Sequence, residues 1–557
     1  MKQNGSTHRI INFGLGAMLL LLMGTMGAVL WTGMPQLENV TVIDGNGVER
    51  KASSPVVITE FKRSSYIVEA QYYKGLFSPE RFDVIADDCL EYLILNDVEL
   101  YRRPPHRQCD VFERITVNAS GAVSEGWNHI AAGIRNEHEQ AGFSVRYSFS
   151  DPKFLLYVIA SVVVLWMALY SILGLRWKVF DPLSSAFIAL VIIISLAIRY
   201  WYVDFKSGDY IFYTSNWYDQ ILHGGVWGAF KQPFSNYTPL YPHLLSLFVF
   251  LPLSKLAAIK ALTFFFELLV AITVGVFATI RGGKQRYRGL IAFSAVLLLP
   301  TIIANGALWA QCDVILVFFL LLFVLCLAYD RPIFALVFWG LAFSLKMQAV
   351  FLAPLIVVAL GIGKVKLWHL CVPVGVFFLS IFPSWIAGRP LLDLITTYFH
   401  QAGQYDALTI NAPNIYQWLT VNPALITVPS LILVSGIIAG TLFYLVRSRQ
   451  PITPRRWVLM ALLFAVMLPF ILPRMHERYF FIADIFAVVY AVLNPKRFYV
   501  AVILQLTSLF SYFQFLFKNN PPIEYKYLAI GVLAVILVLT YDLISNSGRP
   551  SQAVTST

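Results

Sequence analysis

The chain has 557 residues, 58% of them hydrophobic and only 13% charged, with a mean hydropathy of +0.67. An ordinary soluble protein is about a quarter charged, so a soluble multidomain enzyme, a disordered chain, a fibrous repeat and a nucleic-acid binder are all excluded. The formal charge of +11 fits Lys and Arg collected in the cytoplasmic loops of a membrane protein.

A membrane span needs about 20 apolar residues. The first such run extends from Ile10 to Trp31, behind Lys2, His8 and Arg9. It is too long for a typical signal core and no small-x-small site follows it, so residues 1–32 are expected to be an anchor with a cytoplasmic N-terminus.

Residues 33–152 are polar, with short apolar or β-branched runs at 54–59, 90–95 and 143–148. Turn residues separate them: Asp44-Gly-Asn-Gly47, Asn96-Asp97 and Asn118-Ala-Ser-Gly121. The pattern predicts a small β-sandwich domain on the extracytoplasmic side, inserted after the first span. Gly126-Trp-Asn-His129 and the strand after it resemble jelly-roll carbohydrate-binding modules; a folded insert of another role stands beside that reading. Cys89 and Cys109 both fall here and are disulfide candidates outside the cytoplasm. Cys312, Cys326 and Cys371 lie in or beside apolar runs and read as small buried hydrophobes.

Beyond Asp151 apolar runs recur at 153–173, 181–201, 257–280, 289–304, 313–329, 332–345, 348–363, 367–387, 424–446, 456–473, 478–494, 497–515 and 524–543. With the anchor, this predicts an α-helical polytopic membrane protein of about 14 spans. Residues 546–557 would be a disordered cytoplasmic tail. The basic clusters Arg176/Lys178, 281–288, Lys364/Lys366, 447–456, Lys496/Arg497 and Arg549 all become cytoplasmic on one condition. The run Pro239 to Leu253 must lie along the outer surface or re-enter. Both termini are then cytoplasmic, and the loop 202–256 and the polar motifs share the outer face.

Ionisable groups at span ends are costly and are functional candidates by default. Asp209, in Ser207-Gly-Asp-Tyr210, could act as a general base toward an acceptor hydroxyl or simply cap the helix that follows. Asp219, on the same loop, is the second choice. Arg474 and Arg478, four apart and on one face if helical, suit phosphate contact or interfacial snorkelling; His476 and Lys346 could add donors. Gln311 and Asp313 could bind sugar hydroxyls or pair with Lys346. Aromatics including Tyr210 and Trp217 fit an interfacial belt or sugar stacking. No glycine-rich phosphate loop and no Asp-x-Asp pair occurs, so neither nucleotide-sugar use nor a metal or other cofactor is expected, with a divalent ion left open. Asn118-Ala-Ser120 and Asn236-Tyr-Thr238 match the glycosylation sequon.

In order, the motifs are Gly208-Asp209-Tyr210, Trp217-Tyr218-Asp219, Tyr237-Thr-Pro239-Leu-Tyr241, Trp309-Ala-Gln311-Cys-Asp313, Lys346-Met-Gln348 and His476-Glu-Arg-Tyr479. Their order resembles the GT-C superfamily of membrane glycosyltransferases. The narrower resemblance is to bacterial relatives of the GPI-anchor second mannosyltransferase, and a more distant one is to the N-glycan glucosyltransferases. It covers residues 180–545, within a catalytic domain at 153–545. Ala310 stands where a Gly is usual and Met347 where a Pro is usual. The resemblance implies inverting transfer of a hexose, mannose foremost, from a polyprenyl-phosphate donor to a glycan, lipid or protein acceptor outside a bacterial plasma membrane. It assigns the base to Asp209. Tyr237, Gln348, Asn411 and Asn414 join Tyr210, Trp217, Gln311 and Asp313 as sugar- or acceptor-binding candidates, with Arg474, Arg478, His476 and Lys346 at the donor phosphate. The alternative is a transporter or flippase of a lipid-linked or small solute.

Overall fold

A computed structural model describes residues 37–52, 56–58, 65–74, 80–86, 89–105, 114–136, 141–147, 182–249, 253–279, 286–402, 407–419, 421–448 and 452–545. The expected anchor at 10–31, the run at 153–173, Cys109 and the tail at 546–557 lie outside these residues.

Ten strands come first: β1 Leu37–Asp44, β2 Glu49–Lys51, β3 Val56–Ile58, β4 Ser65–Lys74, β5 Arg81–Ala86, β6 Cys89–Leu95, β7 Val98–Arg102, β8 Arg114–Asn118, β9 Gly126–Arg135 and β10 Ala141–Tyr147. The helices that follow are α1 Pro182–Trp201, α2 Ser215–Lys231, α3 Leu240–Val249, α4 Lys255–Thr279, α5 Arg286–Leu298, α6 Asp313–Ala328, α7 Pro332–Phe343 and α8 Pro354–Gly361. The chain continues with α9 Cys371–Ile386, α10 Leu391–Ala402, α11 Pro423–Ser448, α12 Pro454–Ile471, α13 Phe481–Leu493, α14 Phe498–Ser511 and α15 Tyr525–Ser545. Two two-residue strands, β11 Thr409–Ile410 and β12 Met475–His476, pair in parallel. The chain divides into two compact units. One comprises 1–181, 217–229 and 243–258; the other comprises 182–216, 230–242 and 259–557.

In the first unit the strands form two antiparallel sheets, ordered β2-β1-β4-β9-β6-β7 and β3-β10-β5-β8. Alternate residues of both sheets enter one hydrophobic core, including Val42, Val68, Tyr72 and Ile134 from the first and Phe82, Val84, Val117 and Phe143 from the second. Tyr72 meets Phe82 edge-on at 5.5 Å. The turn chemistry explains the connections. Asn96 (φ 47°) and Asp97 (φ 67°) form the two-residue link between β6 and β7, where both positions need positive φ. Asp44 Oδ1 accepts from the amides of Asn46 and Val48. The outer face of the six-stranded sheet carries Trp127, which is 53% exposed. On the neighbouring rung Gln71 stands opposite His129, and His129 lies 3.9 Å from Glu69. The Tyr92 ring lies flat over Gly133, where a Cβ would approach it to 2.2 Å. Cys89 is disulfide-bonded, whereas Cys312, Cys326 and Cys371 are free. Cys371 corrects an expectation: it is exposed, not buried, on a helix whose apolar surface is largely uncovered by protein.

The second unit is mostly helical. Among the described residues six helices are long and apolar enough to cross a membrane: Lys255–Ala278, Leu367–Ile386, Pro423–Leu445, Pro454–Ile471, Pro495–Phe517 and Tyr525–Ser545. A seventh forms if the pair Arg288–Leu298 and Pro300–Leu308, bent by 41°, counts as one. Five further apolar helices are shorter, α6 and α7 among them. Apolar on all sides, α6 and α12 are enclosed by protein, as such helices must be. By contrast, only 11% of the apolar stretch of α11 is covered, which suits lipid. Proline at the first helical position starts α7, α8 and α12, where its missing N–H costs nothing. α7 and α9 approach closely at Gly340, where a Cβ would stand 3.0 Å from Pro373 Cα; small residues permit this contact between membrane helices. α3, of ten residues, is about half the length of a span.

Candidate functional site

Two irregular segments of the second unit bring several of these motifs together. After α1 the chain leaves the helix, and buried Ser207 turns it: its hydroxyl donates to the Trp309 carbonyl at 2.6 Å and accepts from the Tyr210 amide at 3.1 Å. Asp209 follows, just ahead of a π-helix at Tyr210–Thr214, and makes no side-chain cap bond to it. Ser207 has taken that role, so the capping reading of Asp209 fails. The second segment is also a π-helix, Ala304–Leu308, leading into Trp309. π-helical turns gather at functional sites because the wider coil redirects side chains. Ala310, which follows, sits at φ 60°. That left-handed position is where glycine is free and an L-residue is strained.

Three donors converge on one carboxylate oxygen, two of them from the second of these turns. Asp209 Oδ2 accepts from Trp309 Nε1 at 2.9 Å and from Gln311 Nε2, and lies 3.4 Å from Arg478 Nη2. No hydrogen bond reaches Oδ1 among the described residues, and the side chain keeps 15% of its surface exposed. Beside it, Asp313 Oδ1 pairs with Lys346 Nζ at 2.5 Å, while its Oδ2 accepts from Asn305 Nδ2 at 2.9 Å and lies 3.9 Å from Arg478 Nη1. Lys346 also donates to Gln311 Oε1 at 3.4 Å. The Arg478 guanidinium stands 5.0 Å from the Trp309 ring centroid, and Lys346 Nζ stands 4.8 Å from that of Tyr237. Trp309 stacks on Phe515 at 4.5 Å. Two carboxylates thus face two cations in a largely buried setting, where such contacts are strong and leaving one unmade is costly.

The third segment, 472–480, differs from expectation. Arg474 and Arg478 do not share a helical face, because Arg474 has φ 62° and the chain runs through β12 before a 3-10 turn at Glu477–Phe480. Parallel pairing of β11 with β12, and a bridge between Asn411 and His476, tie it to the 407–418 segment. In that bridge Asn411 takes part through its backbone. Asn414 is buried and caps the Ile415–Trp418 turn by accepting from the Tyr416 amide, leaving its Nδ2 without a hydrogen bond. Gln348 is half-buried beside Lys346. Tyr210 is buried against the Asp209 turn. Asp219 and Trp217 belong to the first unit, where the Asp219 carboxylate forms an ion pair with Lys255 at 2.5 Å. Burial lifts that carboxyl above its usual range and Lys255 opposes the shift.

Charge states follow from surroundings. Burial works against Arg478, but Asp209 and then Asp313 outweigh it and hold the guanidinium protonated. His476 is pushed down to about 3, by burial first and by Arg478 and Lys346 after it. At neutral pH it offers a neutral imidazole, with one ring N–H left to donate. Glu477 is buried, its Oε2 lacks a hydrogen bond, and burial pushes its carboxyl up to about 7 against the pull of Arg478. Sequence reasoning missed Asn305, Glu477 and the donor role of Trp309; the last two were already visible inside quoted motifs. Among the described residues no group of three or more His, Cys, Asp or Glu gathers as a metal site.

Two outcomes are expected. Ala310→Gly should keep the fold and raise stability by up to about 1 kcal/mol, because relief of left-handed strain exceeds the added freedom of the unfolded chain; thermal unfolding in detergent checks this. For Glu477 the folded-state pKa lies above the unfolded one. Its contribution is full below about pH 4.5 and is lost as pH rises through about 7, on the order of 3 kcal/mol in all. The difference in unfolding free energy between wild type and Glu477→Gln should fall by that amount from pH 4 to 8, His476 contributing equally to both. Neither protein-family models nor curated proteins give a match to this chain.

Proposed function

We propose that the protein is an inverting membrane glycosyltransferase that moves a hexose, mannose foremost, from a polyprenyl-phosphate donor to a glycan, lipid or protein acceptor. The observation that carries this reading is the Asp209 carboxylate, with one oxygen held by Trp309, Gln311 and Arg478 and the other unengaged. A carboxylate oriented through one oxygen and open at the other suits proton abstraction from a hydroxyl. In the step proposed, Asp209 Oδ1 takes the acceptor hydroxyl proton. The acceptor oxygen then forms its bond to the sugar C1 on the face opposite the phosphate, and the C1–O bond to phosphate breaks. The electron pair leaves on the phosphate, and inversion follows. We assign Lys346, Arg474 and Arg478 to that developing charge, since arginine suits bidentate phosphate contact and Lys346 and Arg478 already flank Asp313. Gln311, Asp313, Gln348 and Tyr237 would meet sugar hydroxyls.

On this reading the shorter apolar helices other than α3, together with α13 and the runs at 10–31 and 153–173, are also membrane-embedded, which gives about 14 spans. The site faces outward from a bacterial plasma membrane, both termini are cytoplasmic, and the paired sheets form an external sandwich. The half-exposed Trp127 on the face that carries Gln71, His129 and Glu69 supports sugar binding there: an aromatic face packs on sugar C–H groups while amide and carboxylate meet hydroxyls.

The test is a screen of lipid-phosphate sugars with purified protein, read by mass spectrometry. Wild type should transfer one of them, and Asp209→Asn should lose roughly 10²- to 10⁴-fold in turnover while still binding donor. Undiminished transfer by the variant removes Asp209 from the mechanism. Absence of transfer with every donor, or vectorial movement of an intact lipid, favours the transporter reading. For the external domain, full-length Trp127→Ala should bind immobilised oligosaccharides roughly tenfold more weakly than wild type; equal binding overturns that role.

A further inference from the structure

α4 is apolar over most of its length, yet Lys260, Thr263 and Glu267 are all buried in it. Spaced i, i+3 and i+7, they fall on one face. Charged groups at such positions are expensive, so their partners are informative. Lys260 Nζ donates to the carbonyls of Tyr202, Val203 and Phe205 at 2.7, 3.0 and 2.8 Å, fastening the backbone that leads into Asp209. One turn on, Thr263 Oγ1 donates to the carbonyl of Gln311 at 3.1 Å, fastening the second segment. One turn further, Glu267 accepts from Arg199 Nε at 2.6 Å, and Arg199 also donates to the carbonyls of Ser195 and Leu297. The same carboxylate lies against the π-helix: a Cβ on Gly306 would come within 2.0 Å of Glu267 Oε1 and 2.9 Å of Thr263 Cγ2.

We propose that this stripe is the positioning element of the site. It holds the Asp209 turn and the Trp309–Gln311 turn from one rigid helix and so sets the distance between the carboxylate and its two neutral donors. Lys260, Thr263 and Glu267 reach neither Asp209 nor the space beside it, so they are positioning residues. The kinetic part of the proposal rests on the transferase reading; the structural part does not. Backbone carbonyls are the points of attachment for Lys260 and Thr263, so the device works whatever side chains those loops carry. Gly306 is required for the close approach.

The experiment compares full-length wild type with Thr263→Val, Lys260→Met and Gly306→Ala, using hydrogen exchange of the peptides covering 202–212 and 304–312. Thr263→Val conserves volume and is the variant expected to fold without loss. Exchange should rise in both segments in each variant, and Thr263→Ser should restore protection. With an active donor, kcat should fall roughly tenfold, as for loss of one buried hydrogen bond, while donor KM stays unchanged. Unaltered exchange at 202–212 in Thr263→Val overturns the proposal, as does an effect confined to KM. If wild type transfers no lipid-phosphate sugar, the transferase reading fails and the exchange comparison alone decides the positioning role.

Discussion

The shared hold on Asp209 Oδ2 is the interaction on which the rest of the second unit depends. Its donors lie 100 and 102 residues away in sequence, at Trp309 and Gln311, with Arg478 coming from further still. None of these groups could be buried alone without a cost of several kcal/mol. Together they neutralise and orient one another: Arg478 spans Asp209 and Asp313, Lys346 closes on Asp313, and Asn305 takes its remaining oxygen. The geometry is over-determined, and strained backbone at Ala310, Asn411 and Arg474 persists in such a frame.

The surrounding helices supply this frame in an unusual way. Between membrane helices there is little hydrophobic drive, and association relies on close packing and on polar contacts. Gly340 provides the first at the meeting of α7 and α9. Polar contacts within apolar helices provide the second. Asp484 accepts from Ser508 at 2.9 Å, and Asp542 engages Arg497 through both oxygens and Tyr490 through one. These clusters lie on helices remote in sequence from Asp209, so polar burial here is a general means of fixing helix pairs as well as a feature of the site.

Much of this could be read from the residues. Apolar length marked the helices that appear, and Asn96-Asp97 marked a turn, which the structure resolves as a hairpin link with both residues at positive φ. Asp209, Gln311, Asp313 and Lys346 were singled out as polar groups at span ends, and they do converge. What could not be read was conformation at irregular backbone. Spacing of four suggested a helical pair at Arg474 and Arg478, but a two-residue ladder displaced the helix. The preference for Asp209 over Asp219 rested on the resemblance, since both carboxylates fall on one stretch; their partners differ, Asp209 meeting Trp309, Gln311 and Arg478 and Asp219 pairing with Lys255. Lys260 and Glu267 could have been noticed as charges inside an apolar run. Their partners are mostly main-chain carbonyls or a buried arginine, which no motif records.

The ladder between β11 and β12 has a consequence for how the chain can vary. It joins Thr409 to Met475 and Ile410 to His476, and a slip by one rung would turn each side chain toward the opposite side. Asn411 would lose its bridge to His476, and the Arg474 amide would lose the Leu408 carbonyl. Additions and deletions ahead of residue 407 are therefore tolerable only where they leave this clasp in step, so drift in length should accumulate in the connector and halt where the clasp begins.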